Sequence, residues 1–361
     1  MIYFYNKMLS LKALKPPIQQ KNLTFNPAEI KIKPIPFDTD VYLTIGDDDE
    51  KETYKSTKNV PDYLKEESNT IKWGQLKLLL TELQFFTYYW DPKTIPTPIV
   101  LYIGSAEGTH ILCLAKLFPS FTWHLYDKRD FEKDLYTYPN VKIFQRYFED
   151  TDIEIYAKME GVFFLCDIRN LDYDVNDPNC SNKMEDFVKE DMKLQEKWCI
   201  EINPFKALLK FRLPYSTPYT LSFGTTFNYL SGLVFLQPYR SKTSTECRLV
   251  PIDNKTTQDW NFTDVESILY YNNKKIREGL KFINPITYEP FMVEHGISDN
   301  WDSTCFIIIA SNYLKKFGKQ VTKEILEIFM LFLIKGANNG RTTLIDKKNN
   351  KNRTQEDEEE D

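Results

Sequence analysis

Between Pro98 and Leu213 the chain repeatedly exchanges a short, mostly apolar run for a stretch of helical period, and this alternation restricts the fold more than any other feature. The run Pro98–Ile103 and the strand Val162–Cys166 are apolar throughout, and Thr122–Tyr126, Val141–Phe144 and Ala207–Leu213 read as further strands. The segments between them, Ala106–Leu117, Ile153–Met159 and Met184–Ile200, read as helices. A sheet with one wet face would alternate apolar and polar residues, so unbroken apolar strands require cover on both sides. The pattern predicts an α/β fold: a mostly parallel sheet with helices on both faces.

Upstream, Leu76, Leu79, Leu80, Leu83, Phe86 and Tyr89 recur at three- and four-residue steps, which predicts an amphipathic helix over Gln75–Trp90 with Lys77 projecting from its first turn. Downstream, Val234–Leu236 and Cys247–Ile252 read as neighbouring strands that close the sheet edge as an antiparallel pair. Helices over Val265–Leu280 and Lys323–Lys335 complete the domain. The boundaries follow: a partly ordered N-terminal extension over 1–70 with short strands around Glu29–Ile35, a catalytic domain over 71–340, and a disordered, charged tail over 341–361.

Several classes are disfavoured. The longest apolar stretch, Ile325–Ile334, is interrupted by Glu327 and falls short of a membrane span, so a soluble protein is expected. The first residues lack a basic region followed by an apolar core and cleavage site, and export is not expected. The six cysteines form no C-x-x-C pair, which fits a reduced, intracellular protein. The three histidines show no H-E-x-x-H spacing, so no metal site is expected. The net charge of −6 hides a contrast, because Asp47–Glu50 and Glu356–Asp361 are unbroken acidic runs and the remainder is slightly positive.

Two sets of residues point to chemistry. In the run Val100-Leu-Tyr-Ile-Gly-Ser-Ala-Glu-Gly-Thr-His110, Gly104 and Gly108 fall at a strand-to-helix junction. Glycine there lets backbone N–H groups approach a ligand, and a helix N-terminus favours an anionic group. Asp127 closes the next strand, at the spacing of an acid that accepts hydrogen bonds from ribose hydroxyls. A dinucleotide fingerprint would need a third glycine where Ser105-Ala106 stand, and no Gly-Lys-Ser/Thr follows to make a phosphate-binding P-loop. A plain tight turn beside a surface acid remains an alternative at this point.

The second set is four charges in or beside apolar elements: Lys77 in GQLK, Asp167 in LCDIR, Lys210 in LLKFR and Glu246 in TECRL. Charges are rarely buried unless paired. Each could also be an ordinary strand-end charge facing water.

From about Trp73 to Arg277 the chain resembles the poxvirus cap-specific mRNA nucleoside-2′-O-methyltransferase family, whose members also serve as the small, processivity subunit of poly(A) polymerase. The islands GQLKLLL, VLYIGSAEGTH, LYDKR, CDIR, LLKFRLPY, LQPY and ECRL follow the family order and spacing.

The resemblance implies a Rossmann-like, S-adenosylmethionine-dependent methyltransferase fold with a catalytic tetrad of Lys77, Asp167, Lys210 and Glu246. In it Lys210 is the candidate base for a ribose hydroxyl. An ordinary lysine is protonated at neutral pH, so a second cation, Lys77, and partial burial are needed to favour the neutral form. For S-adenosylmethionine it implies Gln75, Tyr102, Gly104, Gly108, Asp127 and Arg129, together with Phe148 and Arg169. Glu107 stands where the family carries proline.

For the cap, whose methylated guanine is cationic and stacks on aromatic rings, the resemblance implies Tyr215 and Glu266. Thr217 and Thr243 replace an expected carboxylate and an expected aromatic, and Tyr54 is a candidate for the missing ring. RNA phosphates would lie along Arg169, Arg212, Arg240, Lys242 and Arg248. The partners implied are capped mRNA and a poly(A) polymerase catalytic subunit in a heterodimer, with no membrane. The implied location is the cytoplasm of a cell infected by a large DNA virus, with the virion as a second place. The acidic tail stands where the family has a basic one. A non-catalytic subunit that clamps RNA for the polymerase, and a methyltransferase for another RNA, are the competing readings.

Overall fold

Adjacent residues of one strand, Trp123 and His124, make the layering plain, since side chains alternate faces along a strand. Trp123 packs edge-on against Phe86, whereas His124 Nδ1 meets the Tyr156 hydroxyl at 2.8 Å. Phe86 belongs to helix α1 (Trp73–Tyr89) and Tyr156 to another helix, so the sheet between them is covered on both sides. The computed structural model describes residues 44–45, 72–170, 177, 179–241, 243–277 and 301–338.

The strands in chain order are β1 (Thr44–Ile45), β2 (Ile99–Ile103), β3 (Thr122–Tyr126), β4 (Val141–Phe144), β5 (Val162–Cys166), β6 (Lys206–Phe211), β7 (Thr226–Leu230), β8 (Gly232–Phe235), β9 (Cys247–Pro251) and β10 (Thr257–Asn261). Eight of them form one sheet in the order β1-β8-β9-β6-β5-β2-β3-β4, and β7 pairs with β10 as a separate antiparallel ribbon. From β6 to β4 the neighbours are all parallel, while β9 runs antiparallel to both β6 and β8. The expected parallel sheet and its antiparallel edge are both present.

The remaining helices are α2 (Ile111–Leu117), α3 (Asp150–Tyr156), α4 (Cys180–Ile202), α5 (Pro218–Leu221), α6 (Phe262–Tyr271), α7 (Trp301–Lys316) and α8 (Lys323–Ala337). α1, α2, α7 and α8 pack together on one face, and α3 packs against α4 on the other. All five residues of β5 are buried, as its unbroken apolar sequence requires. Among the described residues no helix is long and apolar enough to cross a membrane.

One expectation is corrected, and one helix was not expected. The helix expected to start at Ala106 starts at Ile111, because Gly104 and Gly108 take φ of 78° and 76° and residues 105–110 form a loop. α7 escaped the periodicity argument because nearly every residue of its first three turns is buried, so no polar face marks it. The expected strands around Glu29–Ile35 lie outside the described residues, and so does the tail.

From β2 the chain steps outward to β3 and β4, then returns to place β5 on the other flank of β2. The crevice above the carboxyl ends of β2 and β5 is therefore a topological switch point, where open α/β sheets bind ligands.

Burial and the Lys142 charge push the His124 imidazole down to about 4. Lys142 stands directly beside it in the β3–β4 register. A histidine held neutral in the fold binds fewer protons than the unfolded chain, so its contribution is present above about pH 6.5 and is lost as pH falls towards about 4. Lowering pH from about 7 to about 5 should cost roughly 2 kcal/mol through this group. Urea unfolding of the wild type and His124→Gln at both pH values checks it: the variant should lack that share of the decline.

Candidate active site at the carboxyl edge of the sheet

Strand register brings the charges together before any side chain is considered. Ile103 pairs with Cys166, Cys166 with Leu209, and Leu209 with Leu249. One residue further along, Gly104, Asp167, Lys210 and Arg248 lie in a row across the sheet, and Lys210 and Arg248 are direct register partners. Two cations side by side repel unless an acid lies between them. Asp167 supplies it: its Oδ1 is 2.9 Å from Lys210 Nζ and accepts from Arg248 Nη2 at 2.8 Å.

α1 lies over this row, and the residue before β9 reaches across to it. Glu246 Oε1 accepts from Lys77 Nζ at 2.9 Å, its Oε2 is 3.4 Å from Lys210 Nζ, and Arg248 Nη1 is 3.6 Å from Oε1. The four side chains expected to converge do converge, each between 13% and 19% exposed. Burial would raise both carboxyls, but Arg248 and Lys210 hold Asp167 below the usual range, and Lys210, Lys77 and Arg248 hold Glu246 well below it. Both are carboxylates at neutral pH.

Arg248 itself is a correction. Expected along the RNA phosphates, it is 3% exposed and is the fifth member of the charge cluster. Arg240 is also buried, bonding Asn272 Oδ1 at 2.5 Å, and so does not fit that expectation either. Sequence alone could not reveal this, because a buried arginine and an exposed one are spelled alike.

The glycine loop sits against the same row. A Cβ on Gly104 would come within 2.7 Å of the Asp167 carbonyl oxygen, and φ there is 78°. Gly104→Ala therefore meets both strain and a backbone clash, and should cost about 1–3 kcal/mol in urea unfolding. Gly108, at φ 76°, leaves no room beside Leu135. The Ala106–Glu107 peptide bond is cis, and Glu107 stands 3.9 Å from Lys72.

Asp127 braces the loop: Oδ2 accepts from the Ala106 N–H at 3.1 Å, and Oδ1 accepts from the Arg129 N–H at 3.0 Å. Arg129 Nη2 also donates to Asp127 Oδ2 and to the Ala106 carbonyl. Burial opposes ionisation of Asp127, but the Arg129 and Ala106 hydrogen bonds hold its carboxyl down.

Gln75 and Tyr102 meet through residues that the sequence did not single out. Gln75 Oε1 is 2.7 Å from His110 Nδ1, and His110 Nε2 is 3.2 Å from Glu82 Oε2. The Tyr102 hydroxyl donates to Glu82 Oε1 at 2.7 Å. Burial first, then the Glu82 charge, raise the Tyr102 phenol well above its ordinary value, so it stays a donor. Glu82 was legible only as an acid inside a helix with a wide apolar stripe.

Phe148 is buried beyond β4, edge-on to Tyr126 and Trp198. Arg169 Nη1 lies 3.7 Å from Asp191 behind the row. Arg212 forms a fork with Glu185 at 2.9 and 2.7 Å and lies 4.2 Å from the Tyr215 ring centroid. Glu266, 6% exposed, accepts from the Ser216 N–H at 3.1 Å, one residue along the chain from Tyr215. Tyr54 and Lys242 lie outside the described residues.

The cap-specific mRNA (nucleoside-2′-O-)-methyltransferase of Fowlpox virus (strain NVSL) is 30% identical over 236 residues, 60% of this chain and 73% of that protein. The protein of the same name from Myxoma virus (strain Lausanne) is 28% identical over 217 residues, 56% of this chain and 61% of that protein, so less than two thirds of the latter is spanned. A solved ribosomal RNA methyltransferase from Plasmodium falciparum matches 52% of this chain and 97% of its own at 16% identity, with a TM-score of 0.26, which adds nothing to the strand order above. The family model for the poly A polymerase regulatory subunit matches residues 40–334, most of the chain, and the chain belongs to that family.

Proposed function

We propose that this chain transfers the methyl group of S-adenosylmethionine to the ribose 2′-hydroxyl of the first transcribed nucleotide of capped mRNA, and that it also assists a poly(A) polymerase catalytic subunit. The observation that carries the reading is Glu246 receiving both lysines while Asp167 receives Lys210 and Arg248, all beside the Gly104 loop. A protein that only clamped RNA would have no use for two lysines held this way on separate elements.

The donor site fits the residues present. Gly104 leaves a cradle that a Cβ would fill, and Asp127 turns its carboxylate to the loop. Ribose hydroxyls of the cofactor would replace the bonds that Arg129, an exposed side chain, makes to Asp127. When bound, the cofactor supplies an electrophilic methyl on a sulfonium. The chain's own residues then orient the acceptor. The cluster sets three basic side chains against two carboxylates. In its neutral amine form Lys210, aimed by Asp167 and Glu246, takes the proton of the hydroxyl as the oxygen attacks. Arg212 and Glu266 fix the Tyr215 segment against which the cationic guanine would stack.

The test uses labelled S-adenosylmethionine with three RNAs, ending in N7-methylated guanosine, unmethylated guanosine or a plain triphosphate. Label should enter the first far more than the others. Equal labelling of all three would remove cap specificity, and no labelling alongside stimulated polyadenylation would favour the RNA-clamp reading.

A further inference from the structure

The connection between β8 and β9 delivers Glu246, yet none of its described residues lies in a helix or strand. Its backbone is held from outside. The Tyr239 N–H donates to Asp302 Oδ1 at 3.0 Å, Arg277 Nη2 donates to the Arg240 carbonyl at 2.8 Å, and Asn273 Nδ2 donates to the Ser244 carbonyl at 2.9 Å. Arg277 and Asp302 grip one another, Nε to Oδ1 at 3.0 Å and Nη2 to Oδ2 at 3.0 Å, with side chains 5% and 8% exposed. Arg277 Nη1 also donates to Asn273 Oδ1 at 2.9 Å, which joins the three side chains into one unit.

The unit holds a strained segment. Tyr239 has φ of 61°, a left-handed conformation that a bulky residue adopts only when its surroundings enforce it. Its ring packs on Trp73, the first residue of α1, at 5.0 Å between centroids. From Ser244 the constraint passes directly to the catalytic acid, because the Glu246 N–H donates to Ser244 Oγ at 3.0 Å.

We infer that Arg277, Asp302 and Asn273 form a positioning clamp which fixes the backbone at Tyr239, Arg240 and Ser244 and thereby holds the Glu246 carboxylate between Lys77 and Lys210. None of the three touches the tetrad, and Asp302 lies beyond the stretch whose motifs announced the site. The inference rests on the methyl-transfer reading for its effect on turnover, but not for its geometry.

Two variants and two readouts test it. Asn273→Ala removes two hydrogen bonds, the one donated to the Ser244 carbonyl and the one accepted from Arg277 Nη1, and no charge. The double variant Arg277→Met with Asp302→Leu replaces a buried pair by apolar side chains of similar volume, a change that often leaves stability intact. Each should lower kcat by roughly tenfold or more while KM for S-adenosylmethionine stays within about twofold, as loss of alignment rather than of binding demands. Independently of turnover, carbon-13 NMR of the Glu246 carboxyl should show its titration midpoint rising in both variants as the lysines lose their fixed approach. Folded variants with wild-type kcat and an unmoved Glu246 titration would overturn the clamp, and if the double variant does not fold, Asn273→Ala decides alone. A wild type with no turnover would instead defeat the methyl-transfer reading, and the carboxyl titration would still report on the clamp.

Discussion

Lys210→Ala is expected to lower methyl transfer by about 10²–10⁴-fold, the range that a positioned proton acceptor contributes. Cofactor binding and fold should survive. Once the ammonium is gone, Asp167 keeps Arg248 at 2.8 Å and Glu246 keeps Lys77 at 2.9 Å, so no buried carboxylate is left without a cation. Single-turnover methylation of capped RNA, with calorimetry of S-adenosylmethionine binding as the control, measures both halves. Normal turnover by the variant would defeat the assignment of Lys210, and loss of cofactor binding would mean that Lys210 serves the donor site instead.

Arg248→Met should have the largest effect on stability. Arg248 is the only arginine in the cluster, and its fork spans Asp167 and Glu246 from within the sheet. Removing one partner from a buried ion pair costs about 3–5 kcal/mol. The pH dependence gives a second signature. Asp167 and Glu246 have lowered folded pKa values, so the stability they contribute is present above the ordinary carboxyl range and lost as pH falls through those lowered values. Without Arg248 both carboxyls rise, and the acid-unfolding midpoint should move to higher pH. Urea unfolding across pH tests the two effects together. A midpoint equal to the wild type would show that Lys77 and Lys210 suffice to hold both acids.

The parallel sheet was legible because its central strands are covered on both faces, which writes Val162–Cys166 as an apolar run; the observed limits of Thr122–Tyr126, Val141–Phe144 and Val162–Cys166 equal the expected ones. The tetrad was legible for a different reason: Lys210 and Asp167 are charges where the strand pattern demands apolar residues. What sequence could not supply was register. Only the pairing of Lys210 with Arg248 turns the latter from an expected RNA contact into a buried cation. The segment 106–110 was read as helix because Ala106 and the apolar residues after it suit one, whereas the positive φ of Gly108 delays the first turn. Asp302 and Glu82 were invisible for a related reason, as acids in helices look solvated until their partners are known.

The contact between Gly104 and the Asp167 carbonyl joins halves that are usually thought of separately. On the proposed function, Asp167, whose main chain would floor the donor pocket, also carries the side chain that would steer the acceptor. A change that widens one will tilt the other, so a lineage seeking a bulkier methyl donor, or a different nucleotide, must alter both at once or neither.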